Sequence, residues 1–94
     1  DMMDMEAIDR LADETVRQLG KLTIWGNNAG GADDRTMRTF MDLPEYQWDY
    51  QLGLNLKAVW AGGVAAAKRM TEGGSIINIS SIAAFKPSPT NGPY

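Results

Sequence analysis

The chain contains no histidine and no cysteine among its 94 residues. Without cysteine there can be no disulfide bond and no thiolate nucleophile. Without histidine there can be no serine–histidine relay, and the two absences together remove the imidazole and thiolate ligands that hold zinc. We therefore predict no metal site of this kind, and any proton transfer must use aspartate, glutamate, lysine or tyrosine.

Basic side chains are in the minority. The chain has 9 lysine and arginine residues against 12 aspartate and glutamate residues, and its formal net charge is -3. A surface of this sign repels phosphate backbones, because nucleic-acid binding rests mainly on lysine and arginine contacts with phosphate. We therefore predict no nucleic-acid partner.

Long hydrophobic runs are also missing. The longest stretch of small or apolar residues covers 58–67, too short to cross a hydrocarbon layer of about 30 Å, so we predict no membrane span. Residues 1–20 are acidic, which is the opposite of the charge of a signal or transit peptide. Together these features predict a reducing, cytoplasmic setting.

The pattern of apolar residues predicts helix, strand, helix and strand in that order. A three-and-four spacing from Met5 to Leu19 predicts a helix with Asp4 as its N-cap and Gly20 as its stop. The run from Leu22 to Gly26 then predicts a short buried strand that ends in a turn.

The second half of the chain repeats this order. A helical pattern extends from Pro44 to Met70 with Asp42 or Leu43 as the cap, and its glycines suit the close approach of another backbone. The β-branched run 75–80 predicts a fully buried parallel strand, and 85–93 reads as a loop. The fold class is therefore α/β with a parallel sheet. Two strands would leave an open edge and an uncovered face, so we expect the chain to be part of a larger sheet.

Polar residues follow both predicted strands, where open α/β sheets bind ligands. Asn27 and Asn28 could satisfy the backbone of a tight turn, or the segment could border a ligand. Ser81 could donate to a substrate oxygen or merely cap the strand end. Asn55 lies on the apolar helix stripe, either as a structural amide that ties the helix to a strand or as the holder of a water in a polar cavity. Tyr94 could act as an acid or base if a positive charge assisted it.

These residues together resemble the short-chain dehydrogenase/reductase family over essentially the whole chain. The matching features are the segment 22–30 ending in Asn-Asn-Ala-Gly, the pair Trp48-Asp49 before Asn55, and the segment 74–81 leading to Tyr94. The interval from Ser81 to Tyr94 is the usual one in the family. The chain departs from the family pattern where Thr23, Trp25 and Gly26 replace acidic and aliphatic residues.

The resemblance implies a Rossmann-type doubly wound sheet and reversible hydride transfer between NAD or NADP and a secondary alcohol or ketone. The resemblance implies three catalytic roles. Ser81 would polarise the substrate, Tyr94 would transfer the proton, and Asn55 would hold a relay water. The resemblance also places the cofactor beside six other residues: Asp1 and Met2 at the adenine, Asn28, Ala29 and Gly30 at the ribose, and Ile79 near the nicotinamide.

The resemblance also implies an organisation larger than this chain. Residues 1–94 would be the central part of one NAD(P)-binding domain, without the glycine-rich first unit, the carboxyl-terminal part, and the lysine that follows the tyrosine by four residues. The partners would be a small alcohol or carbonyl substrate and further copies of the protein in a homodimer or homotetramer. An alternative is a member of the same fold that binds a nucleotide or a protein without catalysis.

Overall fold

One helical segment packs on a two-stranded parallel sheet, and an earlier helix packs on that segment. The computed structural model describes residues 1–32, 39–86, 89–90 and 92–94. In these residues helix α1, Met5–Leu19, packs on helix α3, Ala58–Ala67, and α3 in turn packs on both strands. This arrangement is α/β, as the sequence pattern predicts.

Helix α1 covers Met5–Leu19, as its apolar spacing predicts. The Asp4 side chain accepts a hydrogen bond from the Ala7 amide at 3.0 Å, and so satisfies one of the unpaired amides of the first turn. Gly20 ends the helix with φ 86, and its N–H donates to the Val16 carbonyl. Both predicted helix signals therefore act as expected.

Strands β1, Ile24–Asn27, and β2, Ser75–Asn78, pair in parallel, with Trp25 opposite Ile76 and Asn27 opposite Asn78. Each strand is shorter or shifted relative to its predicted range. The prediction of full burial for the second strand is wrong, because all four residues of β2 are exposed. Among the described residues, nothing covers the face of the sheet opposite the helices.

The long helix predicted from Pro44 to Met70 is interrupted. Helix α2 covers Glu45–Leu52 and helix α3 covers Ala58–Ala67, and between them Gly53–Lys57 forms a π-turn in which the Ala58 amide donates to the Gly53 carbonyl. Pro44 is the N-cap in an extended conformation, so the predicted cap at Asp42 or Leu43 is wrong. A wide turn of this kind is frequent at functional sites.

The core lies between the helices and the helix-facing side of β1. Its buried hydrophobic residues are Ile8, Ala12, Leu22, Trp25, Ala58, Ala65 and Ala66. Gly62 is also buried and faces the side chains of Trp25 and Asn27, since a β-carbon at Gly62 would overlap Asn27 Oδ1. The expectation that this glycine meets another backbone is therefore wrong, because it makes room for two polar side chains.

An ion cluster joins the exposed side of α1 to the residues after α3. Arg69 Nη1 lies 2.9 Å from Asp9 Oδ1, and Arg69 Nε lies 2.6 Å from Asp13 Oδ1. Hydrogen bonds from this guanidinium lower the pKa of both carboxyl groups, and the carboxylates raise the pKa of Arg69. The cluster holds α1 against the end of the helical segment, by which we mean 45–67, that is α2, the π-turn and α3 together.

Candidate active site

A cavity of about 290 Å³ opens at the carboxyl ends of the two strands. This volume is close to the lower end of the range for small-molecule sites, about 300 Å³. Seven of the nine predicted site residues line it, and they come from four separate parts of the chain: Asn28, Ala29, Gly30, Asn55, Ile79, Ser81 and Tyr94.

Asn55 lies in the middle of the π-turn and is half-buried. Its Oδ1 accepts from the Gly31 amide at 2.8 Å, and its Nδ2 donates to the Gly31 carbonyl at 3.0 Å and to Gln51 Oε1 at 2.7 Å. Gly30 must be small here, because a β-carbon would lie 2.8 Å from Asn55 Oδ1. Asn55 thus ties the helical segment to the loop after β1 and also lines the cavity, and its holding of a water stays a prediction.

Ser81 caps the short 3₁₀ turn Ile82–Ala84 that follows β2. Its Oγ accepts from the Ala83 amide at 3.1 Å. A hydroxyl group that accepts one hydrogen bond can still donate its own hydrogen to another oxygen. Tyr94 is 39% exposed and lines the same cavity. The site therefore brings a hydroxyl group and a phenol to one opening.

A buried polar network under the cavity escaped the sequence reasoning. Asn27 is 5% exposed, and its Oδ1 accepts from Trp25 Nε1 at 2.7 Å. Its Nδ2 donates to Asn78 Oδ1 at 2.8 Å and to the Val59 carbonyl at 3.3 Å. Asn27 therefore links the strands to the helix and does not satisfy the turn backbone as expected. The signal in the sequence was a tryptophan two positions before an asparagine, with Gly62 in the facing helix.

The two residues predicted for the adenine end lie outside this cavity. Asp1 Oδ1 accepts from the Met3 amide at 2.8 Å, and the Asp1 side chain is exposed. Met2 is half-buried and packs against the core. Neither residue lines the cavity that holds the predicted catalytic residues, and their role stays a prediction.

A larger groove of about 530 Å³ lies elsewhere, between the start of α1 and the outer face of the helical segment. Trp60 and Leu56 line it and are 64% and 63% exposed. None of the predicted site residues lines this groove, and its surface is mainly apolar. We therefore place the candidate chemistry in the smaller cavity, which contains the polar side chains.

Within the ranges that the structure describes, no three acidic side chains converge as they would around a metal ion. In the same part of the chain, every helix is too short or too polar to cross a membrane.

The sequence and the fold are similar to those of known proteins. A family model described as enoyl-(acyl carrier protein) reductase matches residues 1–94. A protein of Mycolicibacterium smegmatis named as a short-chain type dehydrogenase/reductase is 36% identical over 97 aligned positions, which cover 100% of this chain and 34% of the relative. The chain belongs to the short-chain dehydrogenase/reductase family.

Other members of the short-chain dehydrogenase/reductase family support this assignment. Dehydrogenase/reductase SDR family member 4 of Bos taurus is 39% identical over 92% of this chain and 31% of its own length. The crystal structure of carveol dehydrogenase from Mycobacterium avium in complex with NAD has a TM-score of 0.90 and 33% identity, and the match covers 100% of this chain and 34% of that one. This likeness confirms the predicted Rossmann-type fold. The chain spans about a third of the length of each of these three proteins.

Proposed function

We propose that this chain is the central section of a nicotinamide-dependent oxidoreductase that interconverts a secondary alcohol and a ketone. The observation that carries the proposal is the shared cavity, in which Asn55, Ser81 and Tyr94 meet at the carboxyl edge of a parallel sheet. Open α/β sheets bind their ligands at this edge. A phenol can take the place of the missing histidine in proton transfer when a positive charge assists it.

The residues of the cavity fit the nicotinamide half of the cofactor. Ala29 and Gly30 are small and exposed, so a ligand can reach the main chain after β1. Ile79 is 57% exposed and offers an apolar surface beside them. A nicotinamide cofactor, NAD or NADP, supplies the hydride chemistry when bound. The similar carveol dehydrogenase was solved with NAD, and we assign Asp1 and Met2 to the adenine end.

Each polar residue of the cavity then has one task. The Ser81 hydroxyl donates to the substrate oxygen and so polarises it, since its acceptor side already binds the Ala83 amide. The Tyr94 phenol passes a proton to that oxygen in reduction and removes it in oxidation. We assign Asn55 to the relay water, next to the main chain of Gly31 that it binds.

The outer face of the helical segment is our proposed contact between copies of the protein. Leu56, Trp60 and Val64 lie one turn apart and are all exposed. Apolar side chains at this spacing form the stripe that helices bury when they pair. A homodimer or homotetramer would cover them.

Replacement of Tyr94 by phenylalanine tests the reaction in the protein that carries this chain with its flanking segments. We expect Tyr94→Phe to lower kcat by at least about 100-fold, because general acid–base catalysis contributes that much or more. Binding of the reduced cofactor, measured by its fluorescence, should persist. The matched control is Tyr46→Phe on α2, since Tyr46 is 66% exposed and does not line the cavity.

The possible results separate the two functional alternatives. An undiminished rate in Tyr94→Phe would remove the phenol from the mechanism. Cofactor binding by the wild type without turnover of any secondary alcohol or ketone would favour the non-catalytic member of the fold.

A further inference from the structure

We propose that Gln51 is a positioning residue for Asn55. The proposal rests on the proposed function, in which Asn55 takes part in proton transfer. Gln51 is 5% exposed, and its Oε1 accepts from Asn55 Nδ2 at 2.7 Å. The two residues are one helical turn apart, at the spacing where side-chain amides bond along a helix.

The bond spans the point where the regular helix ends. Gln51 belongs to α2, whereas Asn55 lies within the π-turn Gly53–Lys57. A π-turn inside a helix departs from the regular α-helical repeat and is frequent at functional sites. The Gln51 amide, fixed in the last regular turn, therefore gives Asn55 an anchor on its own helix.

The second anchor of Asn55 is the loop after β1. Asn55 Oδ1 accepts from the Gly31 amide, while Asn55 Nδ2 donates to the Gly31 carbonyl and to Gln51. These three bonds reach the amide from two separate elements and define both its rotamer and the direction of its oxygen. Loss of the Gln51 acceptor would leave one amide hydrogen of Asn55 without this partner and would let the side chain leave the rotamer in which its oxygen accepts from the Gly31 amide.

The chain offers a matched control one turn earlier on the same helix. Gln47 is 2% exposed, and neither its Nε2 nor its Oε1 has a hydrogen-bond partner in the part of the chain that the structure describes. Gln47 does not line the cavity. Replacement of either glutamine by methionine keeps the length of the side chain and removes its amide, but only Gln51→Met removes a bond to Asn55.

The kinetic test uses the protein with its flanking segments. We expect Gln51→Met to lower kcat by about threefold to tenfold, as one lost hydrogen bond would. KM should change little, because Asn55 serves proton transfer and not substrate binding. Gln47→Met should leave both values unchanged. In an Asn55→Ala background, Gln51→Met should cause no further loss of kcat, since its effect passes through Asn55.

A second measurement does not depend on turnover. Amide hydrogen exchange at Gly31 should be faster in Gln51→Met and unchanged in Gln47→Met, because Asn55 Oδ1 accepts from that amide. If the protein has no oxidoreductase activity, the proposed function fails, while faster Gly31 exchange still supports the positioning of Asn55. An unchanged Gly31 exchange rate in Gln51→Met, or an equal loss of kcat with and without Asn55, would overturn the proposal.

Discussion

Replacement of Gly62 by alanine tests how the helical segment packs on β1. A β-carbon at Gly62 would overlap Asn27 Oδ1 and would lie 3.0 Å from Trp25 Nε1. Neither neighbour can move without cost. Asn27 is held by bonds of 2.7 Å to Trp25 and 2.8 Å to Asn78, and both Trp25 and Asn27 are buried. The methyl group must therefore displace the helix or break this network.

The size of the effect follows from three contributions. Overpacking of a filled core costs about 1–3 kcal/mol, and a broken hydrogen bond of Asn27 costs about 1 kcal/mol more. Alanine stabilises a helix by about 1 kcal/mol relative to glycine, which offsets part of this loss. We therefore expect Gly62→Ala to lower the free energy of unfolding by about 2 kcal/mol.

The neighbouring glycine provides the control. A β-carbon at Gly63 would meet nothing within 4 Å, so Gly63→Ala should raise the free energy of unfolding by up to about 1 kcal/mol through helix propensity alone. Urea denaturation of the protein with its flanking segments, followed by tryptophan fluorescence, measures both variants. Equal effects of the two substitutions would refute the packing argument at Gly62.

Two further predictions concern stability. Gln47→Met should raise the free energy of unfolding by about 1 kcal/mol in urea denaturation, because it removes a buried amide with no partner among the described residues; a loss of stability would show that the amide is satisfied. Arg69→Met should be less stable than the wild type near pH 7. Arg69 lowers the pKa values of Asp9 and Asp13 in the folded wild type. The ion cluster therefore stabilises the wild type fully above the ordinary carboxyl pKa of about 4, and this stabilisation disappears as the pH falls through the lowered values. Thermal melts from pH 7 to pH 2 should therefore show the two proteins converge, and a constant difference would exclude the ion cluster as its cause.

Helix α1 could be predicted to the residue because its limits depend on local chemistry. The Asp4 side chain reaches an amide three residues away, and Gly20 adopts a positive φ that other residues avoid. Neither feature needs a distant partner. Sequence spacing alone is sufficient where the stabilising contacts lie within one or two helical turns.

The π-turn could not be predicted in the same way. Its central residue, Asn55, is held by the main chain of Gly31, which is distant in the sequence. The spacing of apolar residues contains no information on such distant contacts, so it predicted one continuous helix. The sequence did show a polar residue, Asn55, on an otherwise apolar helix face, and this indicated a role other than apolar packing.

The reason for the departures from the family pattern in the first strand could also be found only in the structure. The resemblance indicates that Trp25 and Gly26 depart from the family pattern but not what the tryptophan contacts. The indole N–H donates to Asn27, and Gly62 in the facing helix leaves the room for both side chains. Such a network depends on three elements at once, and no single segment of sequence specifies it.

The cavity itself was predictable because parallel strands bring their carboxyl ends to one edge, whatever the distance along the chain. The hydrogen bonds that join the parts of the chain around it could not be predicted in this way. Asn27 binds the Val59 carbonyl and Asn55 binds Gly31, so two amides join the helical segment to β1 and to its following loop. Because Val59 and Asn55 both line the cavity, we expect a change at Gly62 to reach the cavity through Asn27 and Val59. A change at Gln51 in α2 should reach it through Asn55.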